Sequence, residues 1–216
     1  MAKYLNYKSV SIEQIVEELF DLSKLGAFSI PNFITIKARE ELSNIINLSR
    51  YLFKKAERER GSVIQEVETL YFEITNKNLI PKYLKECADK LSIEYSEFYN
   101  KIAEKANFVK TFNSIGFHIY YKGSIGITPH QDFKADTNLI SSFVIQGNAP
   151  FYVCSNRNKE NSKQLETYPG TLILMRAARN EEEQNERPFH YLLGPMKEDR
   201  YSILLRNRKS KENINY

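Results

Sequence analysis

The feature that most constrains this chain is a change of period at Phe108. Before it, apolar residues recur at helical spacing. After it, seven short β-branched and aromatic runs, at 108–121, 125–132, 139–146, 150–154, 171–176, 189–193 and 200–206, alternate with turn residues. That many strands in so short a stretch leaves no room for helical crossovers, so the second half reads as an antiparallel sandwich or barrel. In the first half, Ser11-Ile12-Glu13-Gln14 is a capping box, and Ile12, Ile15, Val16, Leu19 and Phe20 form one helical face that ends before Gly26. An extended piece over 27–34 leads to a second helix with Leu42, Ile45, Ile46, Leu48, Leu52 and Phe53 on its inner side. This helix is expected to run on as a solvated charged end over 54–60 and to stop at Gly61. Residues 62–80 are ambiguous, and 82–105 predict one or two helices. No internal repeat is visible.

Composition narrows the function classes. The 216 residues carry 31 Lys+Arg and 27 Asp+Glu, a net charge of +4, which permits nucleic-acid contact without arguing for it. No apolar run is long enough to span a membrane, and the first eight residues carry no apolar stretch of a signal peptide. The two cysteines, Cys87 and Cys154, make no disulfide framework. These features predict a reduced, cytoplasmic, soluble protein without membrane contact.

The chemistry lies in the strand-rich half. The chain has three histidines, His118, His130 and His190. His130-Gln131-Asp132 sets an imidazole and a carboxylate two residues apart, on one face of a strand. With His190 from a neighbouring strand, they offer two neutral nitrogens and one carboxylate, a donor set that holds a divalent iron and leaves positions open. Ten residues on, Arg200, Ser202, Leu204 and Arg206 share one face of a strand, and Tyr201, Ile203 and Leu205 share the other. The apolar face is suited to pack on the helices, so the guanidiniums look inward, where they need an anionic partner. Whether Arg206 takes part or belongs to the surface is left open. On the strand 117–123, Phe117, Ile119 and Tyr121 face one way, with Tyr121 positioned to offer its hydroxyl to a ligand carboxylate. His118 and Tyr120 face the other way, and His118 reads as structural. Pro169-Gly170 marks a turn before an apolar strand. The charged loop 176–189 is either a lid or a solvated connection, and Phe133, Lys134, Asn138 and Tyr152 are candidates for the cavity mouth.

From 108 to 206 these elements, in this order, resemble the 2-oxoglutarate- and Fe(II)-dependent dioxygenase superfamily. The resemblance implies an α+β fold: a double-stranded β-helix, or jelly-roll barrel, braced by N-terminal helices. It divides one domain, 1–216, into a helical support (1–106), a catalytic core (107–208) and a tail (209–216). It assigns His130, Asp132 and His190 to the metal. It assigns Arg200 and Ser202, with Tyr121, to the distal carboxylate of 2-oxoglutarate. The implied cofactors are Fe(II), 2-oxoglutarate and O2, and the implied reaction hydroxylates a small molecule, amino acid or peptide with release of succinate and CO2. Arg200 and Arg206, six apart, also look like the AlkB-type demethylases, where Asn would stand at Ser202. Nucleic acid is thus a possible substrate but not the favoured one. A binding module without activity is the third reading.

Overall fold

The computed structural model describes residues 3–7, 10–74, 81–178 and 187–209. Among the described residues three α-helices, α1 (Ile12–Phe20), α2 (Ile36–Leu48) and α3 (Lys82–Ala106), supply one layer. Ser11 caps α1, its Oγ accepting from the Gln14 N–H at 3.2 Å, and Thr35 caps α2 in the same way on Ala38. The stretch 82–105 forms one continuous helix, which ends at Asn107 in the left-handed region (φ 55°).

The strands are β1 (Ala27–Ile30), β2 (Lys54–Lys55), β3 (Glu59–Arg60), β4 (Val63–Ile64), β5 (Glu68–Glu73), β6 (Ser114–Tyr120), β7 (Gly126–His130), β8 (Asp136–Gln146), β9 (Phe151–Cys154), β10 (Lys163–Leu165), β11 (Leu172–Arg176), β12 (Phe189–Leu193) and β13 (Arg200–Arg208). They pair antiparallel into a seven-stranded sheet ordered β1-β11-β8-β13-β6-β5-β2, a four-stranded sheet ordered β10-β9-β12-β7, and the small hairpin β3-β4. The fold is a mixed α and β one built on antiparallel sheets.

The large sheet is covered on both faces, so β8 and β11 are buried along almost their whole length, and β11 opens with the apolar run Leu172-Ile173-Leu174-Met175. One face packs on the helices: Phe117, Phe143, Leu174, Tyr201, Ile203 and Leu205 share a core with Leu19, Leu42, Leu91 and Phe98. The Tyr95 ring of α3 meets Phe143 edge-on at 5.0 Å, and its hydroxyl is 2.6 Å from Ser141 Oγ. The other face shares a second core with the small sheet, in which Ile140, Val144, Met175 and Leu204 meet Phe151, Val153 and Leu192. β13 alternates between the two cores as its sequence predicts.

Residues 54–60 correct the expected charged helix end. α2 stops at Leu48, and the Ser49 hydroxyl donates to the Ile45 carbonyl at 2.8 Å. The chain then turns through a 3-10 segment (Arg50–Leu52) and extends to pair with β5. Gly61, at φ 61°, makes the tip of the β3-β4 hairpin rather than a helix stop. The ambiguous stretch contains β5, and most of the candidate lid at 176–189 falls outside the described residues. Among the described residues, no helix is long and apolar enough to cross a membrane. Cys87 and Cys154 are free thiols, both buried.

Candidate metal and carboxylate site

A cavity of about 550 Å³ lies between the sheets. This falls within the range of small-molecule sites, roughly 300–1,000 Å³. The large sheet contributes Thr69, Tyr71, His118, Tyr120, Arg200, Ser202 and Arg206, and the small sheet contributes Ile127, His130, Phe151, His190 and Leu192. The β3-β4 hairpin overhangs it with Arg60 and Val63.

His130, Asp132 and His190 come together here, their donor atoms within 4.8 Å of one another. The pairing of β7 with β12 sets His130 directly opposite His190, with ring centroids 4.2 Å apart, and a bulge between His190 and Leu192 re-aims β12 beyond this pair. Gly126 opens β7 at φ 79°, and a Cβ there would collide with the Leu192 carbonyl. The close approach of the two histidine strands therefore requires glycine. Asp132 lies just past the end of β7, its Oδ2 3.5 Å from His190 Nε2. Two contacts fix that segment: Gln131 Nε2 donates to the Arg187 carbonyl at 2.6 Å, and Arg187 donates to the Asp132 carbonyl.

The hydrogen bonds also choose the tautomers. His130 Nδ1 faces the Thr128 carbonyl at 2.9 Å, and His190 Nδ1 faces the Pro188 carbonyl at 3.3 Å. A carbonyl only accepts, so each Nδ1 carries the proton and each Nε2 keeps its lone pair for the cluster. Burial, and then His190, push the His130 imidazole down to about 4, so it is neutral at pH 7. Burial pushes the Asp132 carboxyl up, but His190, His130 and Arg206 outweigh it and hold the group below the usual carboxylate range. Two imidazole nitrogens and an ionised carboxylate oxygen, converging on one point, suit a divalent transition metal.

Across the cavity, Arg200 is 3 % exposed. Its Nη1 donates to Ser202 Oγ at 3.3 Å and its Nε has no partner. Burial lowers its guanidinium to about 10, only partly offset by Tyr120. No carboxylate pairs with Arg200 among the described residues, whereas Arg206 bonds Asp136 at 3.1 Å. A desolvated cation without a counter-charge is costly, and the cavity is where an anion would meet it.

Tyr121 does not reach this cavity. Its hydroxyl donates to Glu68 at 2.6 Å, and its ring lies 5.6 Å from the Arg50 guanidinium. The reason is register: Tyr120 is paired with Arg200 and His118 with Ser202 across β6 and β13, and cross-strand partners share a face. Once Arg200 faces inward, so do Tyr120 and His118. His118 is a cavity residue, bonded through Nε2 to the Tyr71 hydroxyl. Of the mouth candidates, Phe133 lines the cavity. Tyr152 instead stacks on Tyr191 at 4.8 Å, Asn138 takes a left-handed backbone conformation (φ 66°) within β8, and Lys134 is outside the lining. Sequence reasoning missed Tyr71, Thr69 and Arg60. The alternation Thr69-Leu70-Tyr71-Phe72 was the available signal, since Leu70 and Phe72 pack toward the helices.

No family model matches the chain, and no curated protein sequence matches it significantly. Solved structures do, and they share the fold of the 2-oxoglutarate–Fe(II) oxygenases. One is a prolyl-4-hydroxylase from Pseudomonas putida, with TM-score 0.64, 12 % identity, and coverage of 92 % of this chain and 99 % of that one. A second is a Trichoplax adhaerens prolyl hydroxylase in complex with a hypoxia inducible factor oxygen degradation domain peptide, with TM-score 0.59, 18 % identity, and coverage of 93 % and 92 %. A third is the Arabidopsis thaliana dioxygenase for auxin oxidation, in its binary complex with 2-oxoglutarate, with TM-score 0.65, 15 % identity, and coverage of 100 % and 95 %.

Proposed function

We propose that the chain is an Fe(II)- and 2-oxoglutarate-dependent oxygenase that hydroxylates a small molecule, amino acid or peptide. The observation that carries this is a buried guanidinium without an acid, Arg200, facing the same cavity as the converged His130, Asp132 and His190. Iron alone would explain the three donors, and an ion pair alone would explain the arginine. A dianion that both chelates the metal and reaches across the cavity explains them together.

His130, His190 and Asp132 would hold the iron, with the histidines oriented by the Thr128 and Pro188 carbonyls. Arg200 would take the distal carboxylate of 2-oxoglutarate, bidentate geometry being what a guanidinium offers. Ser202 accepts from Arg200, which frees its hydroxyl proton for the same carboxylate. Tyr120, not Tyr121, would complete this end. Bound iron and 2-oxoglutarate together supply the oxidation, with consumption of O2 and release of succinate and CO2. Phe151, stacked on His190, and Leu192 would form an apolar wall that limits water at the metal end. The facing antiparallel sheets fit a double-stranded β-helix, and the helices that share its core fit a brace within one domain.

The test is an anaerobic titration with Fe(II) and 2-oxoglutarate. A visible metal-to-ligand charge-transfer band is expected, as is loss of succinate formation in His130→Ala and Asp132→Ala. Full turnover in either variant rejects the triad.

A further inference from the structure

The cavity holds a second guanidinium that this reading leaves without a role. Arg206 lies on the same face of β13 as Arg200, lines the cavity and is 3 % exposed. Its Nη1 donates to Asp136. Its Nε and Nη2, the edge whose parallel N–H groups match a carboxylate, are buried and meet no acid, the Tyr71 hydroxyl being the neutral group that interacts with the guanidinium. The Tyr71 ring lies 5.0 Å from its Cζ. Asp136 does not neutralise Arg206 alone, because Arg208 binds both its oxygens, at 2.7 and 3.2 Å. One carboxylate thus serves two guanidiniums.

The rest of the lining carries the same sign. Arg208 and Arg60 hold their guanidiniums 5.4 and 4.4 Å from the Phe133 ring. Among the described residues, the lining acids are Glu57 and Asp132, against the guanidiniums of Arg60, Arg200, Arg206 and Arg208. A ferrous ion and a 2-oxoglutarate dianion cancel each other. The loaded cavity therefore stays positive, with the Nε–Nη2 edge of Arg206 facing no acid.

We propose that Arg206 receives the carboxylate of the prime substrate, and that this substrate is a small organic acid. The proposal rests on the oxygenase reading and deepens it. Depth favours a small acid over a polyanion, since a phosphodiester backbone would meet Arg60 and Arg208 near Phe133 while Arg206 is buried in the wall.

The probes are hexanoate, phenylacetate and 4-phenylbutyrate, each compared with its primary amide. They are presented by equilibrium dialysis to anaerobic wild-type protein loaded with Fe(II) and saturating 2-oxoglutarate. At least one acid should bind about tenfold tighter than its amide, the size of one charge-assisted contact. In Arg206→Gln that preference should fall below about threefold while 2-oxoglutarate affinity stays within about threefold of wild type. Arg206→Lys, which keeps the charge without the fork, should retain part of the preference. The wild-type comparison needs no variant, so a misfolded variant does not decide the outcome. Acids and amides binding alike, or neither binding, overturns the proposal while the charge-transfer band shows the iron reading intact. Weakening of 2-oxoglutarate by Arg206→Gln as severe as by Arg200→Gln also overturns it, because the guanidinium then serves the cosubstrate. Binding of a short single-stranded oligonucleotide in place of the acids overturns it in favour of a polyanion. If no band forms, the oxygenase reading itself has failed, and this inference falls with it.

Discussion

Arg200 and Asp136 are the two charges whose surroundings say most about their work. Among the described residues Arg200 meets a serine and a tyrosine ring and no acid, which on the proposed reading leaves it for a ligand. Arg200→Ala should raise the KM for 2-oxoglutarate about tenfold or more, the size of a lost charge-assisted hydrogen bond, with succinate release as the measurement. Asp136 is the reverse case, fully buried and spent on the fold, with both oxygens on Arg206 and Arg208. Asp136→Ala leaves those guanidiniums without their acid and should cost about 3–5 kcal/mol in denaturant unfolding. A loss below about 1 kcal/mol would mean that solvent reaches the pair. At this scale His130, Asp132, His190, Arg200 and Ser202 were legible, because the rarity of histidine and the alternation along a strand both read directly from the chain. Tyr120 was not. Alternation tells that neighbours point oppositely, but which parity faces the cavity depends on the strand paired alongside.

Among the elements, β7 and β12 have the narrowest tolerance. They bring the two histidines opposite each other, and Gly126 permits it by taking a backbone conformation and a carbonyl contact closed to other residues. Gly126→Ala should destabilise the protein by about 2 kcal/mol and weaken iron uptake, measured by metal titration of the variant that still folds. Unchanged iron affinity would show that the strands can separate without moving the ligands. The helices were readable in advance because Ser11 and the apolar stripes act locally. The β3-β4 hairpin was not. Lys54 to Arg60 carries a helix-compatible charge pattern, and only the antiparallel pairing of β2 with β5 draws it into an extended form. That pairing carries Arg60 and Val63 over the cavity, so a misread segment also hid part of the site.

For the molecule as a whole, the two faces of the large sheet divide the labour: one is stabilised by helices, the other encloses polar machinery. The polar side has a cost in acid. Burial, and then Arg206 and Arg200, push His118 down to about 3 from an ordinary 6.5. His130 is held at about 4, first by burial. Over that window the unfolded chain binds protons that the native one refuses, so stability must fall as pH drops below 6.5 toward these values. Metal-free protein should therefore show a lower denaturant midpoint at about pH 5 than at about pH 7, with a smaller difference in His118→Gln. A flat profile would place both imidazoles in contact with water. By itself the sequence determined the helices, most of the strands after Phe108, the alternation of β13 and the chemistry of the donor set, because these depend on residue type and near neighbours along the chain. Only the tertiary structure decided which face of β6 looks inward, that 54–64 forms strands over the cavity, and that Arg206 keeps an edge facing no acid there. Each of those depends on a partner distant in sequence, whose register no local pattern encodes.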